Sequence, residues 1–318
     1  MGSAGSAKKQ EILLESGTNE LEILVFTLAG QRYGVNVAKV REVVEPIEVT
    51  RLPQSHPSVT GVFQLRDTIS PLVDLQHCLK LSGLSSPNEG KIVIMEFNDT
   101  RVGFLVNTVE QIYRVSWKDV APMPNVDGVN DAPVTSIAHI NDDMVLMLDF
   151  EKLVFDIGGV DLFEASADKI TQSKARGDQR ILLAEDSRMM RQLIQGNLVK
   201  AGYTNVTVAV DGQEAWEKLE HEVALNDGTG YALLITDIEM PRIDGLHLTR
   251  RIREHAGMKG LPIIIFSSLV SDDNEKKCQA VGADAQITKP QLAQLVDLLD
   301  KLLEEARVKD PAAVPVTA

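Results

Sequence analysis

Four places in the C-terminal half put charged or hydroxyl side chains directly after apolar runs. Glu185-Asp186 follow Arg180 to Ala184, Asp237 follows Tyr231 to Thr236, Ser267 ends Pro262 to Ser267, and Lys289-Pro290 follow Ala285 to Thr288. In an open α/β sheet, ligands collect beyond the carboxyl ends of the strands, which is where these residues fall if the apolar runs are strands. Three carboxylates converging on one point repel each other and resist ionisation unless a cation sits among them, and an all-oxygen set suits a hard ion such as Mg2+. A carboxylate can attack a phosphoryl group while a cation and a lysine ammonium neutralise the phosphoryl oxygens and a hydroxyl donates to one of them. The chemistry these residue types specify is an aspartyl-phosphate.

The elements that must position them read as alternating strands and helices. After Arg180 to Ala184 come a helix over about Arg188 to Ala201 ended by Gly202, a strand over Val206 to Val210 and a helix around Gln213 to His221. Tyr231 to Thr236, a helix around Leu246 to His255, Pro262 to Ser267, a helix around Asp273 to Val281, Ala285 to Thr288 and a last helix from Gln291 to Ala306 complete the pattern. Five β/α units of this kind make a doubly wound parallel sheet, and runs such as Ile181-Leu182-Leu183 and Ile263-Ile264-Ile265 suit strands covered on both faces.

Taken singly, an acidic pair, an Asp-x-x-Met-Pro or a Lys-Pro is an ordinary helix start or turn. Together, at four strand ends, they resemble the receiver domain of two-component response regulators, through Leu-Leu-Ala-Glu185-Asp186-Ser, Thr-Asp237-Ile-Glu-Met-Pro241, Phe-Ser267-Ser and Thr-Lys289-Pro290. The intervals agree, 30 residues from Asp237 to Ser267 and 22 from Ser267 to Lys289. The resemblance implies a flavodoxin-like sheet of order 2-1-3-4-5. It also implies that Asp237 is the phosphoacceptor and that Glu185, Asp186, Asp237 and the backbone carbonyl of Glu239 hold Mg2+. Ser267 is then the switch hydroxyl and Lys289 the phosphate-pairing ammonium. Three residues before the lysine, where such receivers often carry an aromatic residue, stands Gln286. A haloacid-dehalogenase-type hydrolase needs an acidic Asp two residues after its nucleophile, and that position is Glu239.

The N-terminal half carries no such chemistry. From Glu20 to about Leu148 it alternates in short strand-like runs, with hairpins expected across Ala29-Gly30, Asn98-Asp99-Thr100 and Asn141-Asp142-Asp143. Such a chain of short strands points to small β-barrels. Phe26-Thr27-Leu28, Tyr33-Gly34-Val35, Lys39-Val40-Arg41-Glu42-Val43, Gly61-Val62, Leu65-Arg66 and Ile69 to Leu75 resemble the CheW family of chemotaxis coupling proteins. That resemblance implies an all-β domain of two small SH3-like barrels that binds the histidine kinase CheA and chemoreceptors. It puts Val40, Glu42 and Arg66 among the partner contacts. Here the family's Asn-Leu-Arg-Gly reads Gln64-Leu65-Arg66-Asp67.

Composition sets the frame for both halves. The chain has 318 residues, 44% apolar and 25% charged, which suits two soluble domains. We expect a leader at 1–18, the coupling domain at 19–157, a linker at 158–178, the receiver at 179–308 and a tail at 309–318. The net charge of −14 is shared by the two halves with no basic cluster, which argues against nucleic acid as a partner. Only residues 310–318 follow the last helix, which leaves no room for a helix-turn-helix. Cys78 and Cys278, 200 residues apart, suit free thiols. No apolar stretch reaches the roughly 20 residues of a membrane span, so no membrane insertion is expected. The combination resembles the CheV family of bacterial chemotaxis. It implies a cytoplasmic adaptor at receptor arrays, not an enzyme, regulated by phosphotransfer from CheA to Asp237. The alternative is a coupling scaffold whose receiver is purely structural.

Overall fold

The computed structural model describes residues 20–82, 90–97, 100–123, 132–158, 176–225, 228–268, 272–289 and 291–309. The expected leader, most of the linker and nearly all of the tail therefore lie outside the described residues. The chain divides into two compact units, the first rich in β-structure and the second α/β.

In the first unit, β1 (Glu20–Leu28) and β2 (Gln31–Asn36) pair as the expected hairpin. Its two turn residues, Ala29 and Gly30, both take positive φ (50° and 79°), the geometry a two-residue turn needs to match the strand twist. The remaining strands are β3 (Val40–Val44), β4 (Val59–Leu65), β5 (Thr68–Asp74), β6 (Lys91–Phe97), β7 (Thr100–Val106), β8 (Thr108–Ser116), β9 (Val120–Pro122), β10 (Val134–Ile140) and β11 (Asp143–Leu148). They form two sheets of order β8-β1-β2-β11-β10-β9 and β3-β6-β7-β5-β4. Most pairings are antiparallel, but β2 with β11 and β5 with β7 run parallel.

Two short helices, α1 (Leu75–Cys78) and α2 (Phe150–Asp156), escaped the sequence reading. Asp149 caps α2 by accepting from the Lys152 N–H at 3.0 Å. The helix delivers Phe150 to the rings of both sheets, edge-on to Phe104 of β7 at 4.8 Å between centroids and tilted against Phe26 of β1 at 6.5 Å. Ile23 and Val25 on the opposite face of β1 pack with Val115, Ala138, Val145 and Met147. Burial on both faces explains why β1 reads as an almost unbroken apolar run.

The second unit follows the expected alternation: β12 (Arg180–Ala184), α3 (Arg188–Ala201), β13 (Asn205–Ala209), α4 (Gly212–Leu225), β14 (Leu233–Thr236), α5 (Gly245–Glu254), β15 (Ile263–Ser267), α6 (Asp272–Val281), β16 (Ala285–Thr288) and α7 (Leu292–Lys309). The strand order is β13-β12-β14-β15-β16 and every pairing is parallel. β14 starts later than expected, because Tyr231 and Ala232 precede it as the approach to the sheet, with the Ala232 N–H bonded to the Arg180 carbonyl at 2.8 Å.

Candidate functional site

Strand order reverses at β12, whose neighbour β14 runs parallel to it with Ala184 beside Thr236. The residues that leave these strands, Glu185 and Asp237, therefore emerge side by side at the topological switch point. Backbone bonds hold them there, from the Asp237 N–H to the Ala184 carbonyl (3.0 Å) and from the Glu185 N–H to the Ala209 carbonyl (3.1 Å). On the other side of β14, Ser267 lies beside Thr288, and the Lys289 N–H donates to the Ser267 carbonyl at 3.0 Å.

That anchoring lets the Lys289 side chain reach into the cluster. Its Nζ lies 2.6 Å from Glu185 Oε2 and 2.9 Å from Asp237 Oδ2, and all three side chains are at most 3% exposed. Asp237 Oδ1 accepts from the Ile238 N–H at 2.7 Å. Glu185, Asp186 and Asp237 each offer an oxygen within 4.8 Å of the others, a donor set that fits a hard divalent cation. Ser267 is buried at the next strand end. Glu239 follows in a turn closed by the Met240 N–H on the Ile238 carbonyl, 3.2 Å. Six of the expected receiver residues thus fall along one edge of the sheet. Gln286 on β16 has a buried amide oxygen that accepts no hydrogen bond.

A surrounding ring of residues went unread in the sequence. Arg191, on the first turns of α3, donates through one nitrogen to the carbonyls of both Glu185 (2.5 Å) and Asp186 (2.8 Å), fixing the turn that carries the acids. Asp211 caps α4 by accepting from the Glu214 N–H at 2.9 Å and takes the guanidinium of Arg242 through Nε at 2.6 Å. This ion pair ties the loop after Asp237 to the loop after β13. In the loop after Asp237, Asp244 caps α5 by accepting from the His247 N–H at 2.7 Å, and burial pushes its carboxyl above the ordinary range. Gly245 packs directly on the Asp237 backbone, where a Cβ would lie 1.9 Å from the Asp237 carbonyl oxygen. The Asp244-Gly245 pair was the one local signal for this packing.

In the first unit, Arg66 occupies the tip of the β4–β5 hairpin at φ 55° and pairs with Glu42 at 3.1 Å. Val40 precedes Glu42 on β3 across a register shift and is half-buried. Arg66 and Glu42 are thus brought together. Both cysteines are free thiols. Among the described residues no helix is long and apolar enough to cross a membrane.

Comparison with known proteins covers both units. The family model for the CheW-like domain matches residues 22–157, and that for the response regulator receiver domain matches residues 181–300. The chain is 30% identical over 302 residues to the chemotaxis protein CheV3 of Helicobacter pylori, covering 90% of this chain and 96% of that one. It is 26% identical over 310 residues to CheV1 of the same organism, covering 91% and 95%. Its N-terminal part is 26% identical over 152 residues to the CheW of that organism, 48% of this chain and 88% of the other. The parallel sheet with its acidic edge, the β-rich unit ahead of it and a likeness that runs through both place this chain in the CheV family of chemotaxis proteins.

Proposed function

We propose that this protein couples chemoreceptors to the histidine kinase CheA at cytoplasmic receptor arrays, and that phosphotransfer from the kinase to Asp237 tunes that coupling. The observation that carries this reading is the Lys289 ammonium held between the buried acids Glu185 and Asp237, with half-buried Asp186 completing the carboxylate cluster. In the transfer, the bond between phosphorus and the kinase's histidine nitrogen breaks. A bond between phosphorus and an Asp237 carboxylate oxygen forms, and the imidazole left behind takes up a proton.

Glu185, Asp186, Asp237 and the Glu239 carbonyl are the groups that would hold Mg2+. When bound, the ion neutralises charge on the phosphoryl oxygens. Lys289 supplies a second positive charge and Ser267 a hydroxyl donor to the same oxygens. Phosphorylation adds about −1.5 to −2 charges at the strand ends, enough to reorganise the Ser267 region. Phosphoryl groups drained from the kinase onto Asp237 also fit this chemistry. Arg66, Glu42 and Val40 are the partner-facing residues of the first unit. A planar guanidinium at a hairpin tip suits bidentate or stacked contact with a receptor helix.

Intact-mass spectrometry after incubation with Mg2+ and phosphorylated CheA tests the reading. One added phosphoryl group, absent from Asp237→Asn and under chelation, is the expected result. No gain where a control receiver is labelled leaves a coupling scaffold with a structural receiver.

A further inference from the structure

The stretch from Glu48 to Thr60, between β3 and β4, borders a recess of about 670 Å3, within the size range of clefts that hold peptides and small ligands. Arg51 and Glu48 both line it, yet neither side chain makes an ion pair or hydrogen bond among the described residues, with each other or with any neighbour. His56 lines it as well. Its Nδ1 accepts from the Ser58 N–H at 3.2 Å, so the neutral ring carries its proton on Nε2, a donor with no partner among the described residues. Ser58 is buried and held in turn, with His77 Nδ1 at 3.0 Å from its hydroxyl and the Asp74 N–H donating to its carbonyl at 2.8 Å. The loop is braced on either side. Ser55 Oγ donates to the Leu52 carbonyl at 3.1 Å, Thr50 and Val62 exchange two backbone bonds of 2.8 Å, and a Cβ on Gly61 would lie 2.2 Å from the Thr50 carbonyl oxygen. Leu52, 43% exposed, and exposed Pro57 add apolar surface to the same recess.

We propose that this recess is a docking site for a short extended segment of a partner protein, one that carries a single carboxylate side chain with apolar residues on either side. The Arg51 fork and the His56 Nε2–H are donors in want of an acceptor, and a carboxylate satisfies both. In an extended segment, side chains two positions apart face the same way, so a carboxylate on Arg51 brings its second neighbours onto Leu52 and Pro57. Glu48 repels a second acid and limits the charge the recess accepts. Leu52 and Pro57 stand exposed beside the polar groups, which suits the side chains of a passing chain better than a ligand enclosed on all sides. The recess lies at the opposite end of β4 from Arg66, about 20 Å along the strand. It is therefore a second contact surface, separate from Arg66, Glu42 and Val40 and independent of the receiver reading.

Binding of the full chain to arrays of acetylated, amidated peptides of the form Leu-Ser-Glu-Ser-Leu, with Leu and Val exchanged at the ends and Glu, Gln or Lys at the centre, tests this. The Glu set is expected to hold the native chain about tenfold or more tightly than the Gln set, with the Lys set weaker still. Arg51→Gln is expected to lose that preference with its melting curve unchanged, because the side chain it replaces is exposed. Glu48→Gln is expected to improve binding of peptides with two acids by about threefold. Equal retention of the Glu and Gln sets, or an unchanged preference in Arg51→Gln, overturns the proposal.

A second measurement needs no substitution. In amide and imidazole NMR spectra of the native chain titrated with the best Glu peptide, saturable shifts are expected along residues 48–60 and at His56 Nε2. Shifts that saturate elsewhere in the chain and leave this stretch unmoved overturn the proposal. Free glutamate is expected to compete with the peptide at least about tenfold more weakly than the unlabelled peptide does, since it lacks the apolar neighbours. Equal competition overturns the assignment to a peptide segment and leaves a site for small carboxylates.

Discussion

Arg176 grips Asp300 with two hydrogen bonds, Nε to Oδ1 at 2.9 Å and Nη2 to Oδ2 at 2.5 Å, joining the chain just ahead of β12 to the middle of α7. The same carboxylate accepts the hydroxyl of fully buried Tyr203 at 2.7 Å, and Arg176 also donates to the Ala201 carbonyl at 2.7 Å. Burial and the Asp300 charge together push the Tyr203 hydroxyl well above its ordinary pKa. Asp300→Ala removes the partner of a buried hydroxyl and two charge-assisted bonds of a half-buried guanidinium at once, and is expected to cost the receiver about 2 kcal/mol, with Asp300→Asn costing about half that. Urea melts in a Trp117→Phe background, where Trp216 alone reports on the second unit, give the comparison.

Two glycines of the receiver respond in opposite directions to the same change. At Gly245 an added Cβ meets the Asp237 carbonyl oxygen at 1.9 Å, so Gly245→Ala must push the loop that carries Asp237 away. Loss of labelling at Asp237 and a lower melting temperature are expected together. Gly196, inside α3, has nothing within 4 Å of its added Cβ, and Gly196→Ala is expected to stabilise by about 0.5–1 kcal/mol with labelling unchanged. Scanning calorimetry beside intact-mass labelling reads both.

Cys278 packs against Ile238 and Ile265, and its burial raises the thiol from 9.0 to about 11. A group whose pKa is raised on folding contributes stability that is full below its unfolded value and is lost as pH rises through the folded one. Native stability minus that of Cys278→Ala is therefore expected to fall between about pH 9 and 11, by about 2 kcal/mol in all. Paired denaturation curves across that window give the difference. At pH 8 the native thiol is expected to resist alkylation until urea opens the receiver.

The ion pair of Arg66 with Glu42 is exposed on the arginine side, 74% against 24%, so it adds little to stability. Arg66→Ala is expected to shift the melting of the first unit by no more than about 0.5 kcal/mol while sharply weakening receptor-dependent activation of CheA. A reconstituted array assay beside a thermal melt checks both. Equal activation with and without the guanidinium removes Arg66 from the partner surface.

The strands of the receiver were legible to within a residue or two because β12, β14 and β15 are buried on both faces, and such strands read as unbroken apolar runs. The acids were legible because strand ends are where this architecture gathers ligands. What stayed hidden was long-range or short. Arg242 finds Asp211 31 residues away, a pairing with no local periodicity to announce it. Arg176 and Asp300 are 124 residues apart. Seven residues of α2 make too few turns to show an amphipathic stripe, so Phe150, just past the last expected strand at Leu148, went unread as the ring that serves two sheets. The edge strand β8 exposes Ile112 and alternates poorly, and it was missed for that reason.

With Arg66 in the partner contact proposed above, its positive φ sets durability against recognition at the hairpin tip. Glycine or asparagine would hold that left-handed backbone at lower cost, so a library of this protein selected only for heat resistance should drift away from arginine at position 66. Selection for swimming up a gradient should return it. The two enrichment profiles, compared at that one codon, would separate what the turn needs from what the receptor needs.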